Sequence, residues 1–334
     1  MLLSNASWSC TSPAWLPDGH TQTIWSAKVA SRGWGASAIP WQRERWTTAD
    51  HDFIDVDVFE PIEQSVDQTL VLFHGLEGSS ASHYAQGFAR VAQQHGLRLV
   101  VPHFRGCSGE INVAPRAYHS GDHAEIDWLL KRMHLRYGRV HAVGISLGGN
   151  ALMHWAGVAA LEASEQVLSV CSVGSPLDLV ASGKALATGL NRWIYTPMFL
   201  RTMKRKAQQK HEQFPGLFDL KRAMGASTLI EFDDAFTAPV HGFDGVWDYW
   251  TRASAKPLLK HVQVPALCLN ACNDPFVPAQ SLPVPHDVSE HVTLWQPSQG
   301  GHVGFVRGHW PWATDVLCMP QAVMEWAMQH HDKR

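Results

Sequence analysis

A serine lies between two glycines where a predicted strand turns into a predicted helix. Residues 144–148 read G-I-S-L-G, which matches the pattern G-x-S-x-G, and they follow the apolar run 140–143. The next residues carry an apolar stripe at helical spacing, formed by Leu152, Trp155, Ala156 and Ala159. Small neighbours let such a turn project the Ser146 hydroxyl, and the helix N-terminus places free N–H groups beside it. The pattern predicts a nucleophilic serine, and a glycine-rich turn with an idle serine is the alternative.

Two residues further along the chain could activate this serine. A serine hydroxyl needs a base that is oriented by a third group, and in this strand–turn–helix setting the chain order is serine, acid, histidine. Asp274 follows the predicted strand 265–269, and His302 follows the predicted strand 292–295. The glycines before His302 allow a tight turn that aims its ring at Ser146. Asp178 is the rival acid and His309 the rival histidine.

The same arrangement predicts where a developing oxyanion would be held. Two backbone N–H groups are expected to serve, one from Leu147 and one from Leu76 in the loop after another apolar run. Gly75, beside Leu76, permits a substrate to approach closely. His74 is expected to hold this loop through hydrogen bonds rather than to act as a ligand.

These candidates require a sheet that brings several strand ends together. Continuous apolar runs alternate with helical stretches, which is typical of an α/β fold with a mostly parallel central sheet and helices on both faces. The predicted buried strands are 70–73, 97–101, 140–143, 167–173, 265–269 and 292–295. Each ends in a polar or glycine-rich loop, and ligands of such sheets bind outside the carboxyl ends of the strands. Residues 52–59 alternate, which predicts a half-exposed antiparallel strand near the sheet edge, with Asp55 and Asp57 on its outer face.

The longest interval between predicted strands is helical, aromatic and partly basic. We expect a helical cap at 178–245, inserted between core segments 1–177 and 246–334. Its basic residues include Arg201, Lys204, Arg205, Lys206 and Lys210. Trp247 and Trp250, close to the cap, are the candidates for an apolar acyl pocket. A basic amphipathic helix that touches a membrane surface is the alternative explanation of this segment.

Composition excludes several classes of protein. The chain has 334 residues, of which 45% are hydrophobic and 17% charged, so a large core is expected and wholesale disorder is excluded. Its 27 Lys and Arg against 30 Asp and Glu lack the basic excess of a nucleic-acid binder. Residues 141–161 contain no Asp, Glu, Lys or Arg. Their glycines and their change of period predict a buried strand followed by a buried helix, not a membrane span.

The cysteines, histidines and N-terminus carry weaker signals. The six Cys are scattered without a CxxC pair and several lie in apolar runs, which predicts buried reduced thiols rather than a disulfide framework. The first ten residues lack the basic and long apolar parts of a signal peptide, so we expect a cytoplasmic protein. Residues 118–123 look metal-like, but no second cluster completes a ligand set, and no metal is expected.

Beyond the serine turn, the chain carries a series of short motifs in order. They read GHTQT at 19–23, HGLEGSS at 74–80, FRGCSG at 104–109, YHSG at 118–121, GISLGGN at 144–150, FDDAFTAP at 232–239, HGF at 241–243 and NDP at 273–275. Together they resemble the YheT/EMB8-like branch of the α/β-hydrolases, the AB hydrolase-4 family, over most of the chain. The resemblance implies a serine hydrolase acting on carboxylic esters, with Ser146, Asp274 and His302 as its triad; eukaryotic members resemble lipases or acyltransferases. Many relatives carry Asp-Asp-Pro where this chain has Asn273, so the acid is retained and a second carboxylate is missing.

Residues and resemblance together predict hydrolysis of a small-molecule ester, short- to medium-chain or lipid-like, through an acyl-enzyme and without a cofactor. Transfer of the acyl group to an alcohol would use the same acyl-enzyme and is one alternative. A hydrolase fold retained as a binding module is the other. No coiled coil or interface motif predicts an oligomeric state.

Overall fold

An eight-stranded sheet forms the centre of the protein in a computed structural model that describes residues 10–29, 39–61, 68–311 and 313–330. The strands are β1 (Gln42–Thr47), β2 (Phe53–Phe59), β3 (Thr69–Phe73), β4 (Arg98–Pro102), β5 (Val140–Ile145), β6 (Val167–Val173), β7 (Ala266–Leu269) and β8 (Val292–Trp295). Their order across the sheet is β1-β2-β4-β3-β5-β6-β7-β8. The strands from β4 to β8 pair in parallel, whereas β2 pairs antiparallel with both β1 and β4. The predicted mostly parallel sheet is therefore confirmed.

The edge of the sheet differs from the prediction. The strand predicted at 52–59 exists as β2, but all seven of its residues are buried, because β1 covers it from outside. Asp55 and Asp57, predicted on an outer face, are buried and accept hydrogen bonds from Arg45 and Arg43 of β1 at 2.7 Å. Sequence reasoning missed β1 because its residues are mostly polar and exposed, and three of the six are charged. The alternation in β2 reflects two buried faces, one apolar and one made of ion pairs.

Helices cover the sheet and fill the interval between β6 and β7. Those of the sheet layers are α1 (Gly19–Lys28), α2 (His83–His95), α3 (His123–Tyr137), α4 (Leu147–Ala159), α5 (Ala163–Gln166) and, at the C-terminal end, α13 (Cys318–Met328). Those between β6 and β7 are α6 (Leu179–Leu186), α7 (Gly189–Ile194), α8 (Thr196–Gln213), α9 (Leu220–Gly225), α10 (Leu229–Phe232), α11 (Ala238–Val240) and α12 (Val246–Ala253). A π-helical turn, Asp233–Thr237, joins α10 to α11.

Three apolar clusters hold these layers together. One lies under α3 and α4 on one face of the sheet and includes the fully buried Trp155. A second lies under α2 and α13 on the opposite face. The third, which includes Phe232, Phe236 and Trp250, belongs almost entirely to the helices α6 to α12. Because this inserted segment has its own apolar interior, it packs as a unit above the sheet. We refer to α6–α12 as the cap helices. They include α12, which lies beyond the expected end of the cap at residue 245 but shares its apolar cluster.

The uncharged stretch at 141–161 folds as predicted, into most of β5 and the whole of α4. Both elements are almost entirely buried, which explains the lack of charges. Among the residues described, no helix combines the length and apolarity that crossing a bilayer would need.

The prediction that all cysteines are reduced is wrong for two of them. Cys10 and Cys318 form a disulfide, with Cα atoms 5.8 Å apart, that ties the N-terminal segment to the start of α13. Their separation along the chain hides this pairing from sequence patterns, because only the tertiary structure brings Cys10 beside the start of α13. Cys107, Cys171, Cys268 and Cys272 are free thiols. Disulfides are rare in cytosolic proteins, so the cysteines do not support the expected cytoplasmic location.

Candidate active site

Ser146 occupies a strained turn between β5 and α4. Its φ of 52° and ψ of −118° lie in a region that residues other than glycine rarely adopt. The turn is held by the Ser146 N–H, which donates to the Val173 carbonyl on the neighbouring strand at 2.8 Å. The serine therefore projects from the carboxyl edge of the sheet, at the N-terminus of a buried helix.

The glycines of the G-x-S-x-G pattern are required by close packing. A Cβ on Gly144 would lie 2.4 Å from the Cα of Gly149, and one on Gly148 would lie 2.5 Å from the His74 carbonyl oxygen. All of these obstacles are backbone atoms, which cannot turn aside as a side chain would. The glycines thus let α4 start directly behind the serine and pack against the loop after β3.

His302 and Asp274 lie in line with this serine. Nε2 of His302 is 3.0 Å from Oγ of Ser146, and Nδ1 is 2.8 Å from Oδ2 of Asp274. The other oxygen of Asp274 accepts hydrogen bonds from the N–H groups of Phe276 at 2.7 Å and Val277 at 3.3 Å. With both carboxylate oxygens accepting, Nδ1 carries the imidazole proton and Nε2 presents a lone pair to the serine hydroxyl. This arrangement can remove the serine proton.

Neither rival residue reaches this histidine or serine. Asp178 caps α6, where its carboxylate accepts the Ala181 N–H at 3.0 Å, and it lines a separate surface groove. His309 is exposed to solvent beyond the last strand. The structure therefore brings together Ser146, Asp274 and His302, as the chain order predicts.

The two predicted oxyanion donors border the same cavity as Ser146. Leu147 is the first residue of α4, so its N–H has no carbonyl one turn earlier in the helix to bond. Leu76 lies in a loop that passes so close to the serine that a Cβ on Gly75 would be 3.2 Å from the Ser146 Cβ. Tyrosine hydroxyls accept the amides on either side of Leu76, Tyr84 from Gly75 and Tyr118 from Glu77, each at 3.0 Å. These contacts hold the loop in shape around the Leu76 amide.

His74 stabilises this loop from behind. Its Nε2 accepts the Phe104 N–H at 3.0 Å, so Nδ1 must carry the proton that it donates to the Gly75 carbonyl at 2.8 Å. Complete burial lowers the pKa of His74 to about 3, so the ring remains neutral. His74 thus makes the hydrogen bonds expected of it.

A largely apolar cavity extends from Ser146 and His302 into the cap helices. It encloses about 1080 Å³, part of which is open to solvent. Its apolar lining from these helices is Leu179, Leu186, Phe199, Met203, Leu229, Phe232 and Phe236. Trp250 also lines it, as predicted, but Trp247 does not: its ring is half exposed and packs edge-on against Trp250. Residues three apart are neighbours on a helix surface, so helical spacing alone does not separate the two rings. Trp247 instead borders a separate surface groove with Arg222 and Ile230.

Sequence reasoning missed several residues of this cavity. The ring of Phe276 packs against His302 with centroids 4.2 Å apart, and its position two residues after the acid was an available signal. Asp233 lies in the cavity wall, where its carboxylate accepts the Trp250 Nε1–H at 2.9 Å. Burial raises the pKa of Asp233 to about 6. The motif at 232–239 marked this carboxylate in the sequence without indicating its place.

A polar contact joins the cap helices to the loop after β3, which carries Leu76. Lys206 of α8 donates to the Glu77 carboxylate at 2.8 Å, and the Tyr118 hydroxyl donates to the same oxygen at 2.6 Å. All three residues border the cavity. Across the described ranges, no group of three or more His, Cys, Asp or Glu is placed to hold a metal ion.

Known proteins share this fold and sequence. Residues 68–308 match the α/β-hydrolase fold family. YheT of Escherichia coli (strain K12), which is named as a candidate esterase, is 38% identical over 274 residues that cover 80% of this chain and 79% of that protein. The human phospholipase ABHD3 is 30% identical over 307 residues, covering 89% of this chain and 73% of that protein.

Solved structures agree on the fold. A thermophilic esterase from Thermogutta terrifontis matches with a TM-score of 0.52 at 14% identity, over 87% of this chain and 100% of that one. At this identity the likeness concerns the fold alone. The family match and the sequence relatives together establish that the chain belongs to the α/β-hydrolase family, in its YheT/EMB8-like branch.

Proposed function

We propose that the protein hydrolyses carboxylic esters through an acyl-enzyme formed on Ser146. The observation that carries this proposal is the continuous hydrogen-bonded line from Ser146 through His302 to Asp274, which opens into a cavity with an apolar wall. A hydroxyl, a base and an orienting carboxylate in this order supply the parts that acyl transfer needs.

Each residue has a distinct role in the proposed reaction. Ser146 attacks the ester carbonyl while His302 takes its proton, and the N–H groups of Leu147 and Leu76 stabilise the oxyanion. His302 then protonates the departing alcohol, which leaves the acyl group on Ser146. Water, deprotonated by His302, releases the acid in the second half of the cycle. Asp274 keeps the imidazole in the required tautomer and stabilises the imidazolium.

The cavity supports an apolar acyl chain as the substrate group. Its wall in the cap helices is formed by leucine, phenylalanine and methionine side chains, which favour alkyl groups over sugars or charged groups. The names of the relatives point the same way, because ABHD3 is called a phospholipase and YheT a candidate esterase. Transfer of the acyl group to an alcohol would use the same residues. Product analysis with added ethanol separates the two reactions, because transfer gives the ethyl ester and hydrolysis the free acid.

A fluorophosphonate tests the nucleophile directly. This reagent phosphonylates serines that a neighbouring base activates, so we expect one adduct on the wild-type protein, detected by intact mass, and none on Ser146→Ala. Hydrolysis of a p-nitrophenyl ester by the same variant should fall by roughly a million-fold in kcat. An adduct that persists in Ser146→Ala would refute the proposal, because another residue would then be the activated nucleophile. A folded wild-type protein without any adduct would also refute it and would favour the binding-module hypothesis.

We also propose that the outer face of the cap helices contacts an anionic membrane surface. Residues 179–211 contain seven Lys and Arg and no Asp or Glu, in a chain whose net charge is −3. Lys206 and Lys210 line the cavity, whereas the other five, Lys184, Arg192, Arg201, Lys204 and Arg205, do not. Leu190, Trp193 and Met198 on this segment are 59%, 76% and 48% exposed. Exposed apolar side chains among cations are typical of surfaces that insert between anionic headgroups.

Vesicle sedimentation tests this contact. We expect the protein to sediment with phosphatidylglycerol-containing vesicles and much less with pure phosphatidylcholine, and Trp193→Asp to reduce binding. Trp310→Asp is the matched control, because Trp310 is 63% exposed but lies outside the cap helices. Equal binding to both kinds of vesicle, or equal effects of the two variants, would contradict the proposal.

A further inference from the structure

The motif GHTQT at 19–23 forms the first turns of α1, which pack against the loops that carry Asp274 and His302. A Cβ on Gly19 would lie 1.8 Å from the Asn273 carbonyl oxygen, and one on Gly301 would lie 2.7 Å from the Gly19 carbonyl oxygen. Both contacts are backbone to backbone. The two loops therefore meet α1 at the residue directly before the acid and the residue directly before the histidine.

Gln22 joins these loops through its side chain. Its Nε2 donates to the Leu16 carbonyl at 2.9 Å and to Oε1 of Gln299 at 2.7 Å. Its Oε1 accepts the Gly300 N–H and the Asn273 Nδ2–H, both at 2.9 Å. The amide thus uses its full capacity of four hydrogen bonds while being completely buried.

Thr23 holds His302 itself. Its hydroxyl donates to the Gly19 carbonyl at 2.6 Å, so its oxygen is free to accept the His302 N–H at 2.8 Å. Thr23 is 6% exposed, so water has little access to replace this acceptor. The Thr23 hydroxyl is therefore the contact between α1 and the backbone of the histidine that faces Ser146.

Asn273 closes the connection between the two loops. Its Nδ2 donates to Gln22 and, at 2.8 Å, to Gln299, while its Oδ1 accepts the Gly301 N–H at 3.0 Å. An aspartate at this position could accept but could not donate to the two glutamine oxygens. The departure from Asp-Asp-Pro noted in the sequence thus coincides with a donor role for this side chain.

The N-terminal segment is anchored independently of these contacts. Asp18 caps α1 by accepting the Thr21 N–H at 2.9 Å, and the Thr21 hydroxyl returns to the Asp18 backbone. Leu16 packs against Val306 and Val316 beyond the last strand. The segment is also tied to α13 by the disulfide of Cys10. Because the cap, the packing of Leu16 and the disulfide all hold the start of α1, this helix gives the two loops a fixed surface to pack against.

We propose that Gln22 and Thr23 are positioning residues that hold His302 and Asp274 where they form the hydrogen-bonded line to Ser146. The proposal rests on the proposed function, because it assigns these residues to the same reaction. It concerns geometry in the reacting complex, so it affects turnover more than substrate binding. Misplacement of a catalytic group by about 1 Å can lower a rate by about a hundredfold.

Thr23→Val tests the proposal because valine keeps the shape of threonine and removes the acceptor of the His302 N–H. We expect kcat for a p-nitrophenyl ester to fall roughly tenfold to a hundredfold with KM changed less than about threefold. Thr23→Ser retains the hydroxyl and should restore most of the loss. Gln22→Leu should show the same selective loss in kcat.

Thr21→Val is the matched control for a general weakening of α1. It makes the same chemical change two residues away and removes a capping contact, so it should lower the melting temperature while leaving kcat near wild type. A comparable kcat loss in Thr21→Val would show that helix stability alone is responsible. Wild-type kcat in Thr23→Val, or no recovery in Thr23→Ser, would also overturn the proposal.

Two further readouts separate this proposal from the proposed function. Fluorophosphonate labelling of the wild type and of Ser146→Ala decides whether Ser146 is an activated nucleophile at all. Hydrogen exchange of the His302 amide needs no turnover and should be faster in Thr23→Val than in wild type or Thr21→Val. Unchanged exchange would overturn the positioning role, even if Ser146 is labelled. Absent labelling of the wild type would instead refute the proposed function.

Discussion

Replacing Asp274 by asparagine should invert the tautomer of His302. In the native protein, Oδ1 of Asp274 accepts two backbone N–H groups, from Phe276 and Val277, while Oδ2 faces Nδ1 of His302. An asparagine must place its carbonyl oxygen at the Oδ1 position, because an NH₂ group there would face two other donors. Its NH₂ then points at Nδ1, which must accept, and the imidazole proton moves to Nε2. His302 would present a proton to Ser146 instead of a lone pair.

The inversion should lower kcat strongly, because it removes the base that deprotonates Ser146 rather than weakening it. The equivalent change in a serine protease lowers kcat by about ten-thousand-fold, or ~5 kcal/mol at about 1.4 kcal/mol per tenfold. We expect a loss of this order in kcat for a p-nitrophenyl ester at the pH where the wild type is fastest. Phosphonylation of Ser146 should slow in parallel, because it uses the same base. The melting temperature should change little, since the two backbone N–H groups keep their acceptor.

Asp178→Asn is the control for this experiment. Asp178 follows β6 and was the rival acid, but its carboxylate caps α6. An asparagine caps helices about as well, so kcat should remain within about twofold of wild type. A loss of less than tenfold in Asp274→Asn would refute the tautomer argument. A large loss in Asp178→Asn would refute the assignment of the acid.

Three other outcomes follow from the structure. Burial raises the pKa of Asp233 from near 3.8 to about 6, so the folded state binds the proton more tightly than the unfolded state and loses stability as the pH rises through this window. The unfolding free energy of Asp233→Asn should therefore rise relative to that of wild type between pH 4 and pH 7, by up to about 3 kcal/mol. Melting temperatures measured across this range check the change, and a pH-independent difference would contradict the burial argument. Gly148→Ala should lower kcat more than a hundredfold, because its Cβ would lie 2.5 Å from the His74 carbonyl oxygen and displace the start of α4; near-normal kinetics would show that the turn can relax. Thiol titration of the unfolded, unreduced protein should detect four cysteines and all six after reduction, whereas six before reduction would disprove the Cys10–Cys318 disulfide.

The strands and the serine turn could be predicted because their signals are local. Buried parallel strands are continuous apolar runs, and a turn such as 144–148 needs glycines where backbones touch. The chain order then placed Asp274 and His302 after the correct strands, and the structure brings both side chains to Ser146. Position within the strand–loop pattern was enough because the carboxyl ends of parallel strands share one edge of the sheet.

Other features could not be predicted because they depend on partners distant in the chain. The sequence pattern placed Asp57 on a solvent-facing side of its strand, but Arg43 of β1 pairs with it. The polar sequence of β1 carries no strand pattern of its own. Trp247 and Trp250 have equal chemistry, and only the packing of α12 decides which one meets the cavity.

The amino-acid sequence by itself determined the sheet class, the serine turn and the order of the three residues that meet there, because periodicity and glycine positions act over a few residues. Only the tertiary structure decided which surfaces close over that site and what holds it in register. Gln22 and Gly300 are hydrogen-bonded across nearly the whole chain, and Cys10 and Cys318 are joined over a similar span. Such contacts carry no local pattern, since they form when independently folded elements pack and satisfy each other's buried polar groups.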